Sequence, residues 1–159
     1  MAYLIDGNNF IGYISRSSLK DPRSKLILIS KLQIFQHLKR TRIIIVFDGY
    51  PDPNIIGKHL RRKNFSVFYP PHGQNADQLI KEIILKQTYF RRFYVVSSDR
   101  EVQLFAKSKG AKTLNCEEFS RQLIKALKEY KNAKEEEKKV TFPSPLEINQ
   151  WLEIFKGKK

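Results

Sequence analysis

The sequence predicts an α/β domain built on a central, mostly parallel sheet of about five strands with helices on both faces. Three observations carry this. Apolar β-rich runs alternate with helix-periodic segments, the order a parallel α/β sheet produces. The runs "IIIVF" and "YVV" are continuous rather than alternating, which suits strands covered on both faces. Leu79, Ile80, Ile83 and Ile84 form one stripe at helical spacing, as a helix packed on a sheet requires.

Strands are expected at residues 2–5, 42–47, 65–69, 93–97 and, more briefly, 112–114. Helices are expected at 24–39, 76–87, 99–109 and 116–130. "KNAKEEEKK" reads as a solvated charge run that ends the last helix. "TFPSPLEINQWLEIFKGKK" reads as a proline-bearing linker and a short amphipathic helix that docks through Leu146, Trp151, Leu152 and Phe155. The expected organisation is one domain over residues 1–131, then residues 132–159 as charged linker and docked helix. No internal repeat is visible.

Composition narrows the function classes. With 159 residues and a hydrophobic fraction of 41%, the chain can bury a real core. No apolar stretch approaches the roughly 20 residues needed to cross a bilayer, and the N-terminus reads as a strand rather than a secretory leader. The single cysteine, Cys116, forms no internal disulfide, which fits a cytoplasmic setting. A net charge of +14 attracts polyanions, and nucleic acid is the expected partner rather than a membrane.

Aspartates recur at corresponding points. Asp6 closes the first strand in "YLIDGNNF", Asp48 the second in "VFDGYP", and Asp99 follows the fourth after Ser97-Ser98. Asp77 begins the helix that leads into the fourth strand. In a parallel sheet all carboxyl ends share one edge, where ligands bind, so the four acids are expected on one rim. Gathering carboxylates is unfavourable unless a cation offsets them. Mg²⁺ or Mn²⁺, which prefer oxygen ligands, fit that role and support phosphodiester hydrolysis. Each acid alone has a plainer explanation: "SDRE" and "NADQ" match helix caps, and the two Asp-Gly pairs match turns. The convergence carries the reading.

Basic groups supply the rest. Lys58, His59, Arg61, Arg62 and Lys63 in "GKHLRRKNF", with Arg100, Arg16 and Lys20, are expected to border the acids and hold a nucleic-acid backbone through salt-sensitive contacts. Phe10, Tyr13 and Tyr50 are candidates for stacking on unpaired bases, and His72 for a substrate contact; all four have ordinary structural explanations. His37 and Cys116 lack partners at metal-ligand spacing and read as structural. The chain has no Walker A, GxGxxG or GxSxG element. An aspartyl phosphatase needs a second acid two residues after the first; here that residue is Asn8.

"YLIDGNNF", "VFDGYP", "NADQLI" and "VVSSDREVQLFAKSKGA" occur in the order and rough spacing of the NYN domain of the PIN-like nuclease superfamily. They resemble in particular its YacP-like branch of small ribonucleases. The resemblance spans nearly the whole chain. It implies a three-layer PIN-like fold and a divalent-metal-dependent endoribonuclease, with mRNA on the ribosome as a candidate substrate. It implies Asp6, Asp77 and Asp99 as metal-binding acids, with Asp48 as a fourth. Asn8 or Asn9 would orient a metal-bound water or a phosphate, and Ser97 and Ser98 would support the rim. Relatives often carry a second acid after the "AD" aspartate, where this chain has Gln78. That difference, with the high basic charge, also admits an RNA- or ribosome-binding module of weak or no catalysis.

Overall fold

The computed structural model describes residues 1–15, 19–53 and 61–136, with the backbone alone at 61–62. The strands are β1 (Ala2–Asp6), β2 (Arg42–Val46), β3 (Arg61–Arg62), β4 (Phe65–Phe68), β5 (Phe93–Val96) and β6 (Lys112–Leu114). The helices, in chain order, are α1 (Gly7–Ile14), α2 (Pro22–Lys39), α3 (Ala76–Lys86), α4 (Arg100–Ser108) and α5 (Cys116–Glu136).

The sheet order is β3-β4-β2-β1-β5-β6. Among the described residues, five strands run parallel and the two-residue β3 is antiparallel, at one edge. The expected parallel sheet of about five strands is therefore present, with β3 as an addition. The chain builds outward from β1 through β2 to β4, then returns to place β5 on the other side of β1. The winding reverses between β1 and β5, and ligands of open parallel sheets bind at such a point, outside the carboxyl ends of the strands.

Alternation along the strands explains the three layers. Tyr3, Ile5, Ile43, Ile45, Phe65 and Val67 face a core closed by α1, α2 and α5, with Phe10, Leu32, Phe35, Phe119 and Leu123 at its centre. Leu4, Ile44, Val46, Phe93 and Val95 face the opposite core, closed by Ile80 and Ile84 of α3 and by Val102 and Ala106 of α4. Both faces of the central strands are covered, which is why those runs carry no polar positions.

Two expectations on the architecture change. The segment after Asp6 is not a simple turn but the helix α1. A Cβ at Gly7 would lie 2.6 Å from ring carbons of Phe47 and 3.0 Å from the Val46 carbonyl oxygen, so only glycine lets α1 start this close to β2. The last helix runs on to Glu136, beyond the expected end at residue 130, so the charge run begins inside α5. The docked helix carrying Trp151 lies outside the described residues. Among the described residues, no helix is long and apolar enough to cross a membrane.

Candidate active site

The register of β1 against its neighbours puts Asp6 at the centre of the carboxyl edge. Asp6 pairs with Val46 of β2, and Ile5 pairs with Val96 of β5, so Ser97 comes alongside Asp6. Ser97 Oγ donates to Asp6 Oδ2 at 3.1 Å. Asp6 is only 5% exposed. Burial raises its carboxyl to about 6, Asp77 and Asp99 add to the rise, and the Ser97 bond and the Asn9 backbone N–H oppose it. Asp6 precedes α1 but closes no side-chain cap on it.

The other acids arrive from separate elements. Asp99 is the N-cap of α4, and its Oδ1 accepts from the backbone N–H groups of Glu101 at 2.9 Å and Val102 at 3.2 Å. The cap is thus Asp99 rather than Ser98, and only one carboxylate oxygen is committed to it. Asp77 stands in the first turn of α3. Its carboxyl is raised by burial and by Asp99, Glu101 and Asp48, against the pull of Lys81. Asp48 follows β2 and is exposed; its Oδ1 accepts from Gly49 N–H at 3.1 Å and Ala76 N–H at 3.3 Å. The four acids lie within electrostatic reach of one another in a connected set. Among the described residues, however, no three His, Cys, Asp or Glu side chains are gathered closely enough to cage an ion.

The two amides after Asp6-Gly7 fasten the rim. Asn8 Oδ1 accepts from the Asp48 backbone N–H at 2.8 Å, tying α1 to the end of β2. Asn9 Oδ1 accepts from the Ser98 backbone N–H at 2.8 Å and from Cys116 Sγ at 3.1 Å, tying α1 to the end of β5 and the start of α5. Burial pushes the Cys116 thiol upward, which keeps it a donor. Ser98 Oγ accepts from the Cys116 backbone N–H at 3.0 Å, and Gln103 Nε2 donates to the Ser97 carbonyl oxygen at 2.8 Å. Gln78 closes a capping box with Asn75 at the start of α3: the Asn75 side chain accepts from Gln78 N–H, and Gln78 Oε1 accepts from Asn75 N–H, each at 2.9 Å. Its side chain is therefore occupied in the cap.

The expected basic border is only partly assembled. Arg100 opens α4 beside Asp99 and is exposed. Lys63 does not reach the rim. It lies in the turn between β3 and β4, and the adjoining Asn64 accepts from Ile43 N–H at the amino end of β2, so the turn sits at the opposite edge of the sheet. An antiparallel edge strand carries the chain there, away from the carboxyl ends. Arg61 and Arg62 form β3 and are described by backbone only, while Arg16, Lys58 and His59 lie outside the described residues. Lys20 is exposed.

Sequence reasoning missed two lysines. Lys81, one helical turn after Asp77, pairs with Glu101 and spans α3 and α4 beside the acids. Lys25 of α2 stands 5.3 Å from the ring centres of both Phe47 and Tyr69; burial lowers its pKa, and Asp52 and Asp48 partly restore it. The i, i+4 spacing of Asp77 and Lys81 was a legible signal. Nothing local announces Lys25.

A family model, the YacP-like NYN domain, matches residues 3–151. The chain belongs to this family. The NYN fold is shared with crystal structures of Rae1 (YacP) from Bacillus subtilis. One, of a point mutant, is 22% identical with a TM-score of 0.70, covering 98% of this chain and 92% of the other. A second Rae1 structure is 21% identical with a TM-score of 0.70, covering 86% and 80%. No match was found among curated proteins. The family and the shared architecture make this a nuclease-type NYN fold, with the acid rim at the carboxyl ends of its strands.

Proposed function

We propose that this protein is a divalent-metal-dependent endoribonuclease that hydrolyses RNA phosphodiester bonds at the rim around Asp6. It would act in the cytoplasm, with mRNA on the ribosome a candidate substrate. One observation supports this best: Asp6 is a nearly inaccessible carboxylate, raised to about 6 by burial and by Asp77 and Asp99. Such a group opposes folding at neutral pH, and a cation beside it removes the penalty.

The all-oxygen donor set suits Mg²⁺ or Mn²⁺. Without a three-ligand grouping among the described residues, the acids fit a hydrated ion held by one or two carboxylates and otherwise by water, as magnesium prefers. One or two of Asp6, Asp77 and Asp99 would touch it directly and the rest would act through its waters, with Asp48 at the margin. When bound, the ion supplies an activated water and neutralises charge on the phosphoryl oxygens.

The chain's own groups orient and bind. Ser97 holds Asp6 Oδ2, and Asn8 and Asn9 keep the strand ends in register. Because the amide oxygens of Asn8 and Asn9 are engaged, their NH₂ groups remain as donors suited to a phosphate or a bound water. Arg100 and Lys81 would counter phosphate charge beside Asp99 and Asp77. In-line attack would leave 5′-phosphate and 3′-hydroxyl ends.

The test is cleavage of single-stranded RNA with Mg²⁺ or Mn²⁺, using structured and ribosome-bound RNA as further substrates. Asp6→Asn and Asp77→Asn should each slow cleavage by at least about 100-fold while RNA binding persists. Wild type cutting no faster than these variants removes the enzyme reading. The second reading, an RNA- or ribosome-binding module, draws on Gln78 being held in the cap and on the open spacing of the acids. It requires metal-independent RNA affinity that neither aspartate variant changes.

A further inference from the structure

We infer that the groove between residues 48–51 and 69–74 is a nucleobase subsite, taking one unpaired base of an RNA strand whose phosphate lies at the acid rim. The inference rests on the nuclease reading for the course of the strand and adds a place for the base.

The groove is open, about 610 Å³, and walled by Tyr50, Pro51, Tyr69, Pro70, Pro71 and His72. Its character differs from the rim beside it. Among the described residues no lysine or arginine lines it, and its flat apolar walls suit a base better than a phosphate. Tyr50 is 78% exposed and contributes little to the core. Its ring lies near-parallel to that of His72, at 26° with centroids 6.3 Å apart. An exposed, paired aromatic surface of this kind is a stacking platform that any base can use.

Continuity with the rim fixes the occupant. Asp48 lines the groove, and its Oδ1 also accepts from Ala76 N–H, next to Asp77. The groove and the acids therefore share a wall, and one strand can place a phosphate on one side and its neighbouring base on the other. Gly49 and Gly73 turn the two walls with φ of +87° and +90°, and a Cβ at either would meet nothing within 4 Å. The walls thus stay open at both bends, and Gln74 and the glycine backbones offer polar groups to a base edge. A protein of net charge +14 supplies the long-range attraction for the strand.

The probe is a single-stranded RNA oligonucleotide with 2-aminopurine placed at successive positions, bound to the full chain in an Asp77→Asn background so that the strand stays intact. Stacking quenches this base. Quenching should peak at one position, and Tyr50→Ala should abolish it and weaken binding by roughly 10-fold, the scale of one lost base stack. His72→Ala should reduce the quench, and Tyr50→Phe should preserve both quench and affinity. The exposure of Tyr50 makes misfolding a poor explanation for the loss, and the unfolding midpoint of Tyr50→Ala checks this. RNA that binds without a localised quench, or a quench unchanged by Tyr50→Ala, overturns the subsite and leaves the nuclease reading standing. A localised, Tyr50-dependent quench, with wild-type protein that cleaves no RNA, supports the subsite and removes the nuclease reading. No RNA binding, or a proline-rich peptide that perturbs Tyr50 where RNA does not, overturns the subsite.

Discussion

Ser97 Oγ donates to Asp6 Oδ2 across 3.1 Å, joining the carboxyl ends of two adjacent parallel strands whose sequence positions are 91 apart. The same hydroxyl accepts from the Asp99 backbone N–H at 3.1 Å. One serine thus links the buried acid on β1 to the acid that caps α4. Around this link the rim can be altered one contact at a time.

Asp6→Asn should stabilise the protein while removing activity. The folded-state pKa of Asp6, about 6, lies above the ordinary value of 3.8. The folded protein therefore binds this proton more tightly than the unfolded chain does. The resulting stabilisation is complete below about pH 4 and is lost as pH rises through 6, for a difference of about 3 kcal/mol. Urea unfolding of wild type and Asp6→Asn at pH 4.5 and 7.5 should show the variant gaining relative stability at the higher pH. Mn²⁺ should raise the melting temperature of wild type more than that of the variant.

Asn9→Ala should destabilise by about 1–3 kcal/mol, because the Ser98 N–H and the Cys116 thiol lose a shared acceptor. Cleavage should fall by more than the unfolded fraction explains, since β5 and α1 are no longer fastened beside Asp6. Chemical denaturation and an activity assay well below the melting temperature separate the two effects.

Gly7→Ala should be nearly as damaging from the addition of one methyl group. A contact of 2.6 Å with the Phe47 ring forces α1 or the ring to move, at about 1–3 kcal/mol. Gly7→Ala combined with Phe47→Leu should recover part of the loss if the clash is the cause. Thermal melts of the single and double variants decide this.

Gln78→Glu should leave stability within about 0.5 kcal/mol, because glutamate serves the capping box as well as glutamine does. The added charge beside Asp77 should tighten Mn²⁺ binding several-fold by calorimetric titration. Unchanged metal affinity would place Gln78 outside the metal's field.

The sheet was legible because its strands are written as uninterrupted apolar runs, with "IIIV" and "YVV" falling in β2 and β5. That the acids share one edge was legible because parallel topology sends the carboxyl end of each strand, and the segment that follows it, to the same side. The role of Gly7-Asn8-Asn9 was not. Glycine and asparagine favour turns locally, and here that preference is overridden by backbone donors at Asp48 and Ser98, both remote in sequence. Lys63 was misplaced for a related reason. A two-residue antiparallel strand has no periodicity to read, yet it carries the chain to the far edge of the sheet. Lys25 reaches Tyr69 and the Asp48 end only through the packing of α2, which no local pattern encodes.

The seclusion of Asp6 bears on how such a protein would change over generations. A single replacement by asparagine would remove a proposed metal ligand and, in the metal-free protein, make the molecule sturdier in one step. Where the cation is scarce, loss of the proposed activity is thus thermodynamically downhill, and a lineage drifting without selection would be expected to shed this carboxylate early while keeping its shape.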